Sequence, residues 1–344
     1  MTSRSVAERR RDVRHLLGAA RNLVNNRAKL LPELVRTTGL SPQGVELALT
    51  RHLELDASDE ELTALVNGAG QAEVIQVVLS ANVFVDALRA LAIARAASDD
   101  VRVSPSSREP AFARALVEAA ADPALTLATS PPSSLERGEI HVYGRDETIA
   151  AVRASARAAV LVRGHGAGMG VACVLASDAL EDAARLLAED VAAFDQRGCL
   201  SPRVALVEGD EPRARAFAEY VHHALNAREA VIPRGFLSED ERAEALRYAD
   251  SVAFAGALWR GDAHAVGLAS SVVVPPVGRH LHVVAAATLA EMRALLAPIA
   301  SAVVTVGISA SSRAGQLGVP HARISPLGKM QRPPLDGPVD LRET

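Results

Sequence analysis

Aromatic residues are the first thing this chain lacks: Phe, Trp and Tyr make up 3 % of its 344 residues. Hydrophobic residues nevertheless reach 49 %. The core must therefore come from Ala, Val and Leu, which suits helices packed on sheets better than a β-sandwich. Cysteine is also scarce, with 2 in all, so no disulfide framework can form. The two lie far apart without CxxC spacing, which argues against a zinc site, and the expectation is that no metal is bound. No apolar run reaches the roughly 18 residues needed to span a bilayer. The charged start of the chain does not resemble a signal peptide. An excess of basic charge is missing too: the formal net charge is −4 and the pI about 6.2, against nucleic acid as a partner. The arginines of "RSVAERRRDVRHLL" read as a solvated helix face, not a binding arm. The chain is expected to be soluble and cytoplasmic with reduced thiols.

What is present is alternation. From Ser5 to about Val66 the pattern is helical, with Leu16, Leu17, Ala20 and Leu23 at helical spacing, and Ser41 and Pro42 opening a further helix. "NGAGQ" ends this region. Val74 to Leu79 reads as a buried parallel strand and Val85 to Ala97 as a helix. "VRVSPSS", "GEIHVYG" and "AAVLVRG" read as strands, with helices at "EPAFARALVEAAA" and "DETIAAVRASA" between them. That period makes a doubly wound parallel sheet, which binds ligands at the carboxyl ends of its strands. A second unit of the same class follows, with strands at "GVACVLA", "RVALVEG", "SVVVPPV", "LHVVAA" and "AVVTVGIS". Its helices are "ALEDAARLLAEDVAAF", "EPRARAFAEYVHHALNA" and a polar one near 238–250. The last 24 residues, rich in Pro and Gly, read as an ordered tail.

Three places could carry chemistry. Cys199 lies in "FDQRGCLSPR", where Gly198 permits a tight turn and Arg197 is a candidate to favour thiolate. The bend follows a helix C-terminus, so the dipole does not help ionisation. On local grounds an inert buried cysteine and a nucleophile both stay open; Cys173, inside an apolar strand, reads as core. Asn82, just past a strand in "VVLSANVF", is either an oxyanion donor or a turn asparagine bonded to its own backbone. The glycines of "RGHGAGMGVACV" precede a strand instead of opening a helix, so they are not a dinucleotide fingerprint. They read as a crossing between two domains, with His165 as a proton carrier or a structural histidine.

In this order the pieces resemble the aldehyde dehydrogenase superfamily and, within it, the acyl-CoA reductase (LuxC-type) family, from about Thr37 onward. "DQRGCLSPR" is similar to that family's nucleophile signature and "ARISPLGKMQRPPLDG" to its C-terminal motif. The resemblance implies two doubly wound three-layer α/β/α domains behind an N-terminal helical segment. Their expected bounds are 1–66 helical, 67–165 dinucleotide-binding, 166–320 catalytic, and 321–344 a tail packing back on the fold. It also implies a reaction, reduction of an acyl thioester, fatty acyl-CoA foremost, to an aldehyde through an acyl group on Cys199. Asn82 and His165 complete the implied catalytic set; Ser80, Ser104, Ser106, Arg108, Gly144 and Gly166 form the cofactor site. The family's water-activating glutamate slot falls on His165, as suits an enzyme that must keep water from its acyl-enzyme. Ser104 stands at the strand-two lysine of many relatives, with Arg108 nearby and no acid at that strand end. The expected cofactor is thus NADPH, with NADH as the alternative. There is no room for the long oligomerisation hairpin of tetrameric relatives, which leaves a homodimer open. Acyl-phosphate reduction, aldehyde oxidation on the same fold and a non-catalytic binding role are the competing readings.

Overall fold

Four helices precede the first strand: α1 (Val6–Asn25), α2 (Leu31–Thr38), α3 (Pro42–Leu47) and α4 (Asp59–Gly68). They belong to a computed structural model that describes residues 4–342. Ser5 and Glu8 close a capping box at the start of α1, and Val13, Leu16, Leu17, Ala20 and Val24 form its buried stripe. The arginine-rich start is not the solvated face expected. Arg9 is buried and donates to the carbonyls of Ala96 and Gly70, while Arg10 and Arg14 share Asp59 of α4. Main-chain carbonyls at the end of the helix Asp86–Ala97 and in the turn after α4 drew Arg9 inward.

The first sheet contains β1 (Ile75–Val78), β2 (Val101–Ser104), β3 (Leu125–Leu127), β4 (Gly138–Tyr143) and β5 (Val160–His165). All are parallel, in the order β3-β2-β1-β4-β5. Strand order therefore reverses between β1 and β4, where doubly wound sheets open a crevice. Helix α5 (Asp86–Ala97) follows β1, α6 (Ala111–Ala120) follows β2 and α7 (Asp146–Ser155) follows β4. β3 was not legible in the sequence, being three residues long with two of them exposed.

Residues 166–168 carry the chain from β5 into the second sheet. Its strands are β6 (Met169–Val174), β7 (Pro202–Glu208), β8 (Ala257–Arg260), β9 (Ala265–Leu268), β10 (His280–Ala286), β11 (Val303–Ile308) and β12 (Arg323–Ser325). They run in the order β12-β11-β6-β7-β10-β9-β8, parallel except for β8 against β9. Helices α8 (Leu180–Ala192), α9 (Glu211–Val231), α10 (Glu239–Ala255) and α11 (Leu289–Leu296) complete this half. Side chains alternate between two cores. Ala172 and Val174 face α8 and α9, whereas Val171 and the fully buried Cys173 face the side of α11. Cys173 is thus a packing residue. "SVVVPPV" is not a strand, because Pro275 and Pro276 cannot donate to a ladder; the edge is made by the β8–β9 hairpin instead. The tail supplies β12, so it extends the sheet. Among the described residues no helix is long and apolar enough to cross a membrane.

Between α8 and β7 the backbone is unusual. Phe194, Asp195 and Gln196 have φ of 52°, 50° and 61°, the left-handed region that costs an ordinary side chain about 1–3 kcal/mol. The expected bend at Gly198 is therefore made three residues earlier. Asp195, 1 % exposed, accepts from Arg279 Nε at 2.9 Å and the Gly235 N–H at 2.9 Å. Gln196 donates to the carbonyls of Pro202 (2.8 Å) and His280 (2.7 Å) and accepts from the His280 N–H (2.6 Å). Replacing Arg279 with Met keeps the stem but leaves the Asp195 charge only the longer 3.5 Å ion pair with Arg197. The expected loss is about 3–5 kcal/mol, read as a lower urea midpoint; an unchanged midpoint would show that the pair does not hold the turn.

Candidate active site

A cleft of about 800 Å³ opens between the carboxyl ends of β1 and β4 and the turn that precedes β7. It lies at the strand-order reversal of the first sheet and meets the second sheet at an amino-terminal strand end. Ser80, Asn82, Ser106, Arg108, Gly144, His165, Gly166 and Cys199 all line it. Ser104 does not: its hydroxyl sits against the sheet and accepts from Gln76 Nε2 at 3.0 Å.

Asn82 and Cys199 come together because their loops touch. A Cβ built on Gly198 would stand 2.9 Å from Val83 Cγ2, so the glycine serves close approach and not backbone freedom. Gly170 serves the same end from beneath, since a Cβ there would meet the Leu200 carbonyl at 2.5 Å. Arg108 Nη2 donates to Asn82 Oδ1 at 2.9 Å. That bond fixes which way the amide faces and leaves its NH2 as the free donor. Arg108, expected on the cofactor, therefore also orients the asparagine.

Electrostatics explain why the cysteine was hard to judge. Although part of Cys199 faces the cleft, burial pushes its thiol up to about 12, with Asp86 and Asp340 adding to the rise and Arg342 opposing it. Arg197 gives no relief, being occupied by Asp195 at 3.5 Å, Glu241 at 3.3 Å and the Phe236 carbonyl at 2.7 Å. His165 stacks on Tyr143 with ring centroids 4.5 Å apart. Burial lowers its pKa to about 4, so it is a neutral imidazole at physiological pH. Tyr143 Oη is buried and has no hydrogen-bond partner among the described residues. Sequence reasoning missed three wall residues, Asp86, Tyr143 and Asp340. None of the three left a signal: Asp86 reads as an ordinary acid in a first helical turn.

The arrangement offers a thiol and an amide donor facing one space, as acyl transfer to sulfur requires. The solved benzaldehyde dehydrogenase of Corynebacterium glutamicum, described as NAD-dependent, has the same fold, with TM-score 0.67, 16 % identity, and coverage of 94 % of this chain and 82 % of that one. An oxidoreductase of Marinobacter aquaeolei matches with TM-score 0.72 at 14 % identity, over 94 % and 79 % of the two chains. The NADP-dependent glyceraldehyde-3-phosphate dehydrogenase of Bacillus halodurans C-125, solved with NADP, matches with TM-score 0.67 at 13 % identity, over 94 % and 79 %. At such identities these structures establish the aldehyde dehydrogenase fold alone. Among curated proteins no sequence matches this chain. The model of the family described as "Acyl-CoA reductase (LuxC)" matches residues 135–341, more than half of the chain and including Cys199 and the tail motif. The chain thus belongs to the acyl-CoA reductase (LuxC) family and is an oxidoreductase acting on the aldehyde group.

Proposed function

We propose that the protein reduces an acyl-CoA, fatty acyl-CoA first among candidates, to its aldehyde with NADPH, through an acyl group carried on Cys199. The observation that carries this reading is the packing of Val83 on Gly198, which sets the Asn82 amide and the Cys199 sulfur on one cleft. Cys199 attacks the thioester carbonyl, and the oxyanion accepts from Asn82 Nδ2 and the Cys199 N–H. Coenzyme A departs as the thiol and leaves a thioester on the enzyme. His165, its pKa lowered to about 4 by burial, is too weak a base to activate water well, so the acyl group is kept for reduction. On this assignment residues 67–165 bind the cofactor, 166–320 carry the nucleophile and 321–344 close the cleft.

The cleft suits a phosphorylated dinucleotide. Ser106 and Arg108 line the loop after β2, and the nearest carboxylate there, Glu109, is turned inward onto the N–H groups of Ala111 and Phe112. A 2′-phosphate therefore meets donors and no negative charge, which favours NADPH over NADH. Ser80, Gly144 and Gly166 complete the wall, and Ser106 takes the ribose contact that Ser104 cannot reach. When bound, the reduced nicotinamide supplies the hydride. An acyl phosphate asks for several free cations near the sulfur, yet Arg197 is paired with Asp195 and Glu241, Arg342 with Asp340, and Arg203 donates to the Pro275 carbonyl.

Cofactor oxidation followed with acyl-CoAs of rising chain length tests the reading. Wild type should consume NADPH with at least one thioester and Cys199→Ala with none; a wild type inert to all of them sinks it. Asn82→Ala should lower kcat by about 100- to 1,000-fold. Gly198→Ala should push the two loops apart and slow the reaction, and the added Val83→Ala should recover much of the loss. If Gly198→Ala is as active as wild type, loop contact does not set the geometry.

A further inference from the structure

Burial keeps the Cys199 thiol protonated at neutral pH, so its attack on a thioester requires a group that takes the proton. Building on acyl transfer to Cys199, we propose that Asp86 is the proton acceptor and donor of that step. Val83, in the turn that leads into α5, and Asp86 and Ala87, in its first turn, all line the cleft, and the Asp86 N–H donates to the Val83 carbonyl at 3.1 Å. Val83 abuts Gly198, so the turn that opens α5 lies against the nucleophile loop, and the Asp86 charge acts on Cys199. The Asp86 carboxylate makes no hydrogen bond or ion pair with any described residue, although Arg89 lies on the same helix. Arg89 is committed elsewhere, to Glu54 and the carbonyls of Pro333 (2.9 Å), Pro334 (2.8 Å) and Gly337 (2.6 Å). A half-buried carboxylate left unpaired beside a buried thiol costs stability and calls for a role.

Its surroundings tune it for that role. Burial raises its pKa to about 7, Glu54 adds to the rise and Arg89 opposes it. Tyr143 of β4 feels its charge, and so does Cys199, on which Asp340 and Arg342 of the tail also act. A carboxyl group that is half ionised near neutral pH can both take and return a proton. His165 cannot, because its pKa lies near 4.

The step balances without a redox partner. The Sγ–H bond breaks and its proton passes to the carboxylate as the sulfur pair bonds to the carbonyl carbon. The tetrahedral adduct then expels the coenzyme A sulfur with its bonding pair. That thiolate takes the proton back from Asp86, and no water is consumed.

Two readouts on Asp86→Asn and Asp86→Glu decide the matter. One is single-turnover release of coenzyme A thiol from an acyl-CoA; the other is alkylation of Cys199 by iodoacetamide from about pH 6 to about pH 10. The wild-type release rate should fall on the acid side of about pH 7, where the base becomes protonated. Asp86→Asn should release thiol about 100-fold more slowly and lose that acid limb. Alkylation in the same variant should become faster, because the charge opposing the thiolate is gone. Asp86→Glu should regain the limb and part of the rate. A merely structural residue would move both rates down together. The proposal falls if Asp86→Asn keeps release within about twofold of wild type, or if its alkylation profile is unchanged. If wild type releases no thiol from any acyl-CoA, the reductase reading fails by itself. The alkylation arm then still decides whether Asp86 governs Cys199.

Discussion

Three consecutive left-handed residues, Phe194 to Gln196, are the constraint on which the site depends. None is a glycine, so each works against its own side chain, and the surrounding protein must over-determine the turn. It does so with one buried carboxylate and one buried amide. Asp195 gathers Arg279 and the Gly235 N–H, and Gln196 bridges β7 and β10 through backbone groups. The turn brings the chain from α8 to the amino end of β7 with Cys199 in the cleft wall. These hydrogen bonds thus hold the Cys199 loop in place against the strain of the turn.

The same packing fixes the electrostatic character of the cleft. Closing protein around a thiol disfavours its ionised form, and nearby carboxylates disfavour it further. A site tuned to oxidise aldehydes gains from a free thiolate and a water-activating carboxylate. Here the thiol is held protonated and the residue in the glutamate slot is a neutral imidazole. On the proposed reading, the lack of a carboxylate in that slot spares an enzyme-bound thioester from hydrolysis until it is reduced.

Most of the alternation was legible because it rests on period. The parallel strands at Ile75, Val101, Gly138, Val160, Met169, Pro202, His280 and Val303 sit in short apolar runs, most of them separated by helices. What escaped was structure set by context. "SVVVPPV" has strand composition but two prolines facing a would-be ladder, whereas the short β8 and β9 pair only because one forms a hairpin on the other. Asn82 and Cys199 could be picked out by residue type and order, but their meeting depends on Val83 fitting against a missing side chain. The departure of Ser104 from the cleft is set by a hydrogen bond across two strands. Asp86 was invisible for the opposite reason: an acid in a first helical turn is what helix dipoles favour, and nothing local marks it as facing sulfur.

Arg89 gives this architecture an order in time. Its guanidinium joins Glu54 to carbonyls as distant as Gly337, 248 residues further along, and Pro338 to Asp340 then line the cleft. Neither half of the chain can frame the thiol alone, and closures over such separations are slow. On a ribosome Cys199 emerges well before these tail residues, by an interval on the order of ten seconds. During that time the sulfur is an ordinary exposed cysteine, and the last strand and its tail convert it into an enclosed one.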